Sequence, residues 1–154
     1  MNPSLDRRSF CTLALAASAI WVPGIKAQQR AYDGTWSQDP VWDLLKTTRL
    51  TTDLKGMVHA SVPPKVQALA GKPMTVSGFI LPTEATPRFN HFILSRYSPQ
   101  CPFCPSGAPN EVIEVYSKTL MQAGNYMVFL TGSFAVQNNL EAGLFFRLDA
   151  AVTA

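Results

Sequence analysis

Lys72-Pro73-Met74-Thr75-Val76-Ser77-Gly78-Phe79-Ile80-Leu81-Pro82 is the stretch on which the fold turns. Met74, Val76 and Gly78 alternate with Thr75 and Ser77. An apolar Phe-Ile-Leu run then ends at Pro82, which has no N–H to continue a ladder. Period-two alternation closed by a breaker reads as a strand, not a helix. Downstream the same pattern repeats. Residues 89–97 alternate, with Phe89, His91, Ile93 and Ser95 on one face and Asn90, Phe92, Leu94 and Arg96 on the other. Residues 111–116, 126–136 and 143–152 give three more strands, with Gly132 at a bulge or bend.

Upstream the punctuation is helical. Asp39-Pro40 precedes Val41, Trp42, Leu44 and Leu45, an N-cap followed by proline at the first helical position. Pro63-Pro64 and Gly71 bracket a second short helix. Residues 47–60 have no clear period. Short helices followed by five strands, with no helical crossovers between them, predict a mainly β domain. Its expected form is a small five-stranded antiparallel barrel preceded by short helices, not a βαβ sheet.

The first residues set the expected compartment. Asp6-Arg7-Arg8-Ser9-Phe10 precedes an apolar run from residue 11 to residue 22, and Ala27 stands at a plausible cleavage point. This reads as a cleavable signal peptide over 1–27, too short in its apolar part to span a bilayer. The paired arginines before Ser-Phe resemble a twin-arginine signal, and the alternative is a general secretory one. A polar lead-in over 28–38 and a single β-rich domain over 39–154 follow, in a periplasmic protein that does not span the membrane once cleaved. The segment removed carries Arg7, Arg8 and Lys26 against Asp6, so the formal charge of +3 mostly leaves with it. The remainder has no basic stripe, and a nucleic-acid partner is not expected.

Beyond the signal, two cysteines remain, Cys101 and Cys104 in Ser98-Pro99-Gln100-Cys101-Pro102-Phe103-Cys104-Pro105-Ser106-Gly107. Thiolates three apart in a Pro/Gly-rich knuckle can clasp zinc or another soft transition metal. Two sulfurs leave a tetrahedral shell incomplete. His91, on the strand entering the loop, and Glu111, on the strand leaving it, are the candidate further ligands. The plainer readings are a satisfied histidine on a mostly buried strand and a strand-edge carboxylate on a solvated face. His59 is the other histidine.

A thiol-disulfide couple is the second reading of the pair. Its usual form needs a helix N-terminus to stabilise the first thiolate, and Pro105, Gly107 and Pro109 oppose a helix there. A small loop disulfide in a structural adaptor is the third. No serine-hydrolase context and no phosphate loop appears, so an enzyme is the less favoured class.

The ordered set Leu69-x-Gly71-Lys72-x-Met74-x-Val76-x-Gly78-Phe79-Ile80-Leu81-Pro82, Phe92-Ile93-Leu94, Cys101-Pro102-Phe103-Cys104 and Pro109-Asn110-Glu111-Val112 resembles domain-of-unknown-function family 3299 of small exported bacterial proteins. Its opening is also similar to the first strand of OB-like barrels. The resemblance implies a role in envelope metal handling beside a transporter component, and it implies no established activity.

Overall fold

A computed structural model of the protein describes residues 35–100 and 107–154. The fold begins with α1 (Pro40–Leu45), and one carboxylate both starts this helix and docks it. Asp39 Oδ1 accepts the Val41 N–H at 3.0 Å, while Oδ2 accepts the Ser77 N–H at 2.9 Å. Trp42 and Leu45, three residues apart, share the buried face. The Trp42 indole N–H donates to the Ser77 carbonyl at 2.7 Å, so its polar tip is satisfied where its ring is fully buried.

The stretch without a clear period folds as a separate two-stranded hairpin of β1 (Arg49–Thr52) and β2 (Val58–Ser61). Asp53 shapes its turn by accepting the N–H groups of Lys55 at 2.8 Å and Met57 at 2.9 Å. Helix α2 (Pro64–Gln67) is shorter than the Pro63-to-Gly71 bracket suggested. The chain leaves it through turns and reverses at Gly71, whose φ of +78° only glycine adopts freely.

Five strands follow: β3 (Pro73–Pro82), β4 (Phe89–Ser95), β5 (Val112–Met121), β6 (Met127–Asn139) and β7 (Leu144–Thr153). They pair in the order β3-β4-β5-β7-β6, and β6 returns to pair with β3. The domain is thus mainly β with two short helices, as expected. The all-antiparallel arrangement is corrected, because β5 and β7 run parallel. The reason is parity. Five strands that alternate direction around a ring cannot close, so one neighbouring pair must share its direction. Here β7 turns back antiparallel to β6 and runs beside β5 in the same direction.

The interior is aromatic and aliphatic: Val76, Phe92, Leu94, Ile113, Val115, Leu130, Phe134, Phe146 and Leu148 are all inaccessible to solvent. Phe89 joins them, although simple alternation placed it on the face of His91. An irregularity between Phe89 and His91 switches its direction, and its ring packs edge-on against Phe92 at 5.7 Å. The expected bend at Gly132 is present as a register shift between Thr131 and Ser133. At Gly78 the strands cross so closely that a Cβ would stand 2.7 Å from the Ser95 carbonyl oxygen.

Candidate functional site

The cysteine loop leaves β4 and enters β5, and both of its feet are described even though Cys101 and Cys104 lie outside the described residues. Ser95 pairs with Val112, and the Arg96 N–H extends that ladder to the Glu111 carbonyl at 3.1 Å. Arg96 continues the inward phase of Phe92 and Leu94. Glu111 continues that of Ile113 and Val115. Both side chains therefore turn inward at the end of the sheet, and each is only 5% exposed. A buried charge is tolerable only when paired and hydrogen-bonded.

The pairing is extensive. Arg96 Nη2 reaches Asp43 Oδ1 at 2.9 Å, its Nη1 lies 3.7 Å from Glu111 Oε1, and its Nε donates to the Ser37 carbonyl at 3.4 Å. The guanidinium also sits 5.1 Å above the Trp36 ring. Glu111 Oε1 accepts the Tyr97 hydroxyl at 2.9 Å and pairs with Lys46 Nζ at 3.1 Å. Burial, with Glu111 beside it, pushes the Tyr97 hydroxyl above its ordinary pKa. Backbone contacts add a strap: Trp36 bridges Tyr97, and Ser37 N–H donates to the Arg96 carbonyl at 2.7 Å. Helix α1, the segment before it and both strand ends thus converge on the feet of one loop.

His91 stands elsewhere. It lies opposite Tyr116, five positions along β5 from Glu111, which is about 16 Å of strand. Its Nε2 meets Glu114 Oε1 at 2.9 Å, and its ring stacks on Tyr116 with centroids 4.5 Å apart and planes within 8°. Glu114 also accepts Gln137 Nε2 at 2.7 Å and the Tyr116 hydroxyl at 3.3 Å. Burial works against ionisation of this carboxyl, but the hydrogen bonds from Gln137, His91 and Tyr116 outweigh it and hold its pKa below the usual value. An ionised Glu114 only accepts, so His91 Nε2 carries the proton and Gln137 presents its NH₂ group. The Tyr116 hydroxyl is raised by burial and by this carboxylate.

Of the residues singled out as ligands, His91 and Glu111 are therefore placed on separate networks and share no partner. His59 is bound to Asp53 at 3.0 Å on the exposed hairpin. Among the described residues no three His, Cys, Asp or Glu side chains converge as a metal group, and no helix is long and apolar enough to cross a membrane. Arg96, Lys46, Asp43 and Tyr97 were not singled out from sequence. The signal was there, since Arg96 follows Phe92 and Leu94 in an inward phase.

Residues 28–144 match the family model described as Protein of unknown function (DUF3299). The chain belongs to the DUF3299 family. The match takes in α1, the hairpin, β3 to β6 and both feet of the cysteine loop. A crystal structure of a DUF3299 family protein from Pseudomonas aeruginosa PAO1, at 2.45 Å resolution, is similar with a TM-score of 0.50 and 22% identity. The likeness covers 62% of this chain and 68% of that one, and it is a likeness of fold. No curated protein matches the sequence.

Proposed function

We propose that this DUF3299 protein is an exported periplasmic accessory, not an enzyme, that holds a soft transition-metal ion through Cys101 and Cys104 and serves an envelope transport system. One observation carries the reading. Among the described residues three charged side chains are buried, and two of them, Arg96 and Glu111, stand at the feet of the cysteine loop. Burying charge is costly, so a fold that concentrates it at one loop base invests in holding that loop. Thiolates suit zinc or copper(I). With His91 bound to Glu114 and Glu111 bound to Tyr97 and Lys46, the reading rests the protein's share of the coordination on the two sulfurs.

The strand order, with its parallel pairing of β5 and β7, supports an OB-like barrel as the carrier. The paired arginines support twin-arginine export, and the transporter partner rests on the family resemblance alone. The engagement of His91 and Glu111 also favours a second reading, a thiol-disulfide couple on a non-thioredoxin scaffold, because that chemistry needs no third ligand.

Metal content separates the two. Protein purified anaerobically with intact thiols is expected to carry about one zinc or copper ion per chain. The Cys101→Ser/Cys104→Ser double variant is expected to carry none. Equal metal in both proteins refutes the first reading. A metal-free wild type with a reversible two-electron potential establishes the second.

A further inference from the structure

We propose that the groove between the β1–β2 hairpin and the distal half of β6 takes up an extended segment of a partner polypeptide as an added strand. Pairing of β6 with β3 ends at Ser133 opposite Pro73. One residue on, Phe134 still bonds toward that side: its N–H donates to the Lys72 carbonyl at 3.0 Å and its carbonyl accepts the Gly71 N–H at 2.8 Å. Strand N–H and C=O groups point to alternate edges at successive residues. Val136, two positions further, therefore directs its N–H and C=O to the same side, where β3 has already turned away. Beyond Phe134, β6 pairs with β7 alone among the described residues.

The hairpin offers a matching edge. Asp53 N–H donates to the Met57 carbonyl at 3.0 Å, which makes 53/57 a hydrogen-bonded pair of the β1–β2 register. Alternation makes Thr51/His59 the next such pair. Leu50/Ala60 falls between, so Ala60 turns its N–H and C=O away from β1. Among the described residues β2 pairs only with β1.

Ala60 and Val136 line one groove of about 390 Å³, together with Val62, Gln67, Gln137, Asn138 and Phe145. Its size is that of a ligand site. Among the described residues no charged side chain lines it, so it offers no ion pair to a phosphate, a carboxylate or an ammonium group. What it offers is two strand edges without a partner among the described residues, apolar walls and three amides. Because Gln137 spends its NH₂ on Glu114, its Oε1 is left as an acceptor for a ligand N–H. Main-chain donors and acceptors with alternate side-chain pockets are the chemistry of strand addition. An extended, neutral peptide is the ligand class that uses all of it.

The test uses the whole mature chain and linear 12-residue peptides selected on it by phage display. Binding is read by fluorescence polarisation, and backbone protection by amide hydrogen exchange. The expected result is that the free protein exchanges the Ala60 and Val136 amides quickly and that a selected peptide protects both. N-methylation of alternate peptide residues is expected to weaken binding about tenfold per hydrogen bond lost, and methylation of the intervening residues to leave it unchanged. Ala60→Arg, which fills the groove, is expected to abolish binding. The N-methyl series leaves the protein untouched and decides the matter if that variant misfolds. Absence of any enriched peptide, indifference to the methylation pattern, or slow exchange of both amides in the free monomer overturns the proposal. Protection that appears only as the chain self-associates overturns it as well, in favour of a second copy.

Discussion

Replacing Arg96 and Glu111 singly and together tests whether the two feet of the cysteine loop form one unit. Glu111→Leu removes a charge-assisted hydrogen bond from Tyr97, worth about 2 kcal/mol. It removes an ion pair to Lys46, whose side chain is 47% exposed, worth at most about 1 kcal/mol. It also leaves Arg96, 5% exposed, with Asp43 as its remaining acid. The expected loss is about 3 kcal/mol, or roughly 10 °C in Tm for a domain of this size. Arg96→Met strands Glu111 on Lys46 and Tyr97 and is expected to cost about 2–3 kcal/mol. The double variant leaves no orphaned buried charge, so it is expected to cost about 3 kcal/mol in total, not the sum of the two, with a coupling of about 2 kcal/mol. Urea unfolding followed by the fluorescence of the buried Trp42 supplies all four corners of the cycle. Additivity within about 0.5 kcal/mol would refute the claim that the two charges depend on each other.

Other consequences follow from single observations. Glu114 has a folded-state pKa held below its ordinary value of 4.5, so its contribution to stability is present above that value and is lost as pH falls through the lowered one. Stability curves from pH 7 to pH 2 are expected to show an acid limb that Glu114→Gln flattens, and an unchanged limb would remove Glu114 from the account. Gly78→Ala places a Cβ 2.7 Å from the Ser95 carbonyl and 2.9 Å from Leu94 Cγ, and is expected to lower stability by about 1–3 kcal/mol in thermal melts. Thr48→Val replaces a buried hydroxyl that has no partner among the described residues, and is expected to be neutral or to stabilise by about 1 kcal/mol in the same assay.

The strands were legible because their alternation is strong and their ends carry breakers, as Pro82 closes β3. The hairpin of β1 and β2 was not. Its burial is partial and its two strands are four residues each, too short for a period to stand out. The parallel β5–β7 pair is a property of ring closure that no local pattern encodes, although the strand count alone implies it. Phe89 was assigned to the wrong face because alternation cannot anticipate an irregularity two residues away. The site was half legible. Arg96 and Glu111 each fall on an inward phase, and the register Ser95–Val112 sets them opposite one another. His91 and Glu114 were hidden, because their partnership depends on Gln137 and Tyr116 from two other points of the sheet.

A competition titration with a chromogenic copper(I) or zinc chelator tests the central claim most directly, run on the wild type, His91→Ala, Glu111→Gln and Cys101→Ser/Cys104→Ser. The account predicts that metal affinity disappears with the two thiols, survives His91→Ala unchanged and falls only modestly in Glu111→Gln through the loosened loop base. Affinity retained without the cysteines, or lost with His91, would contradict it.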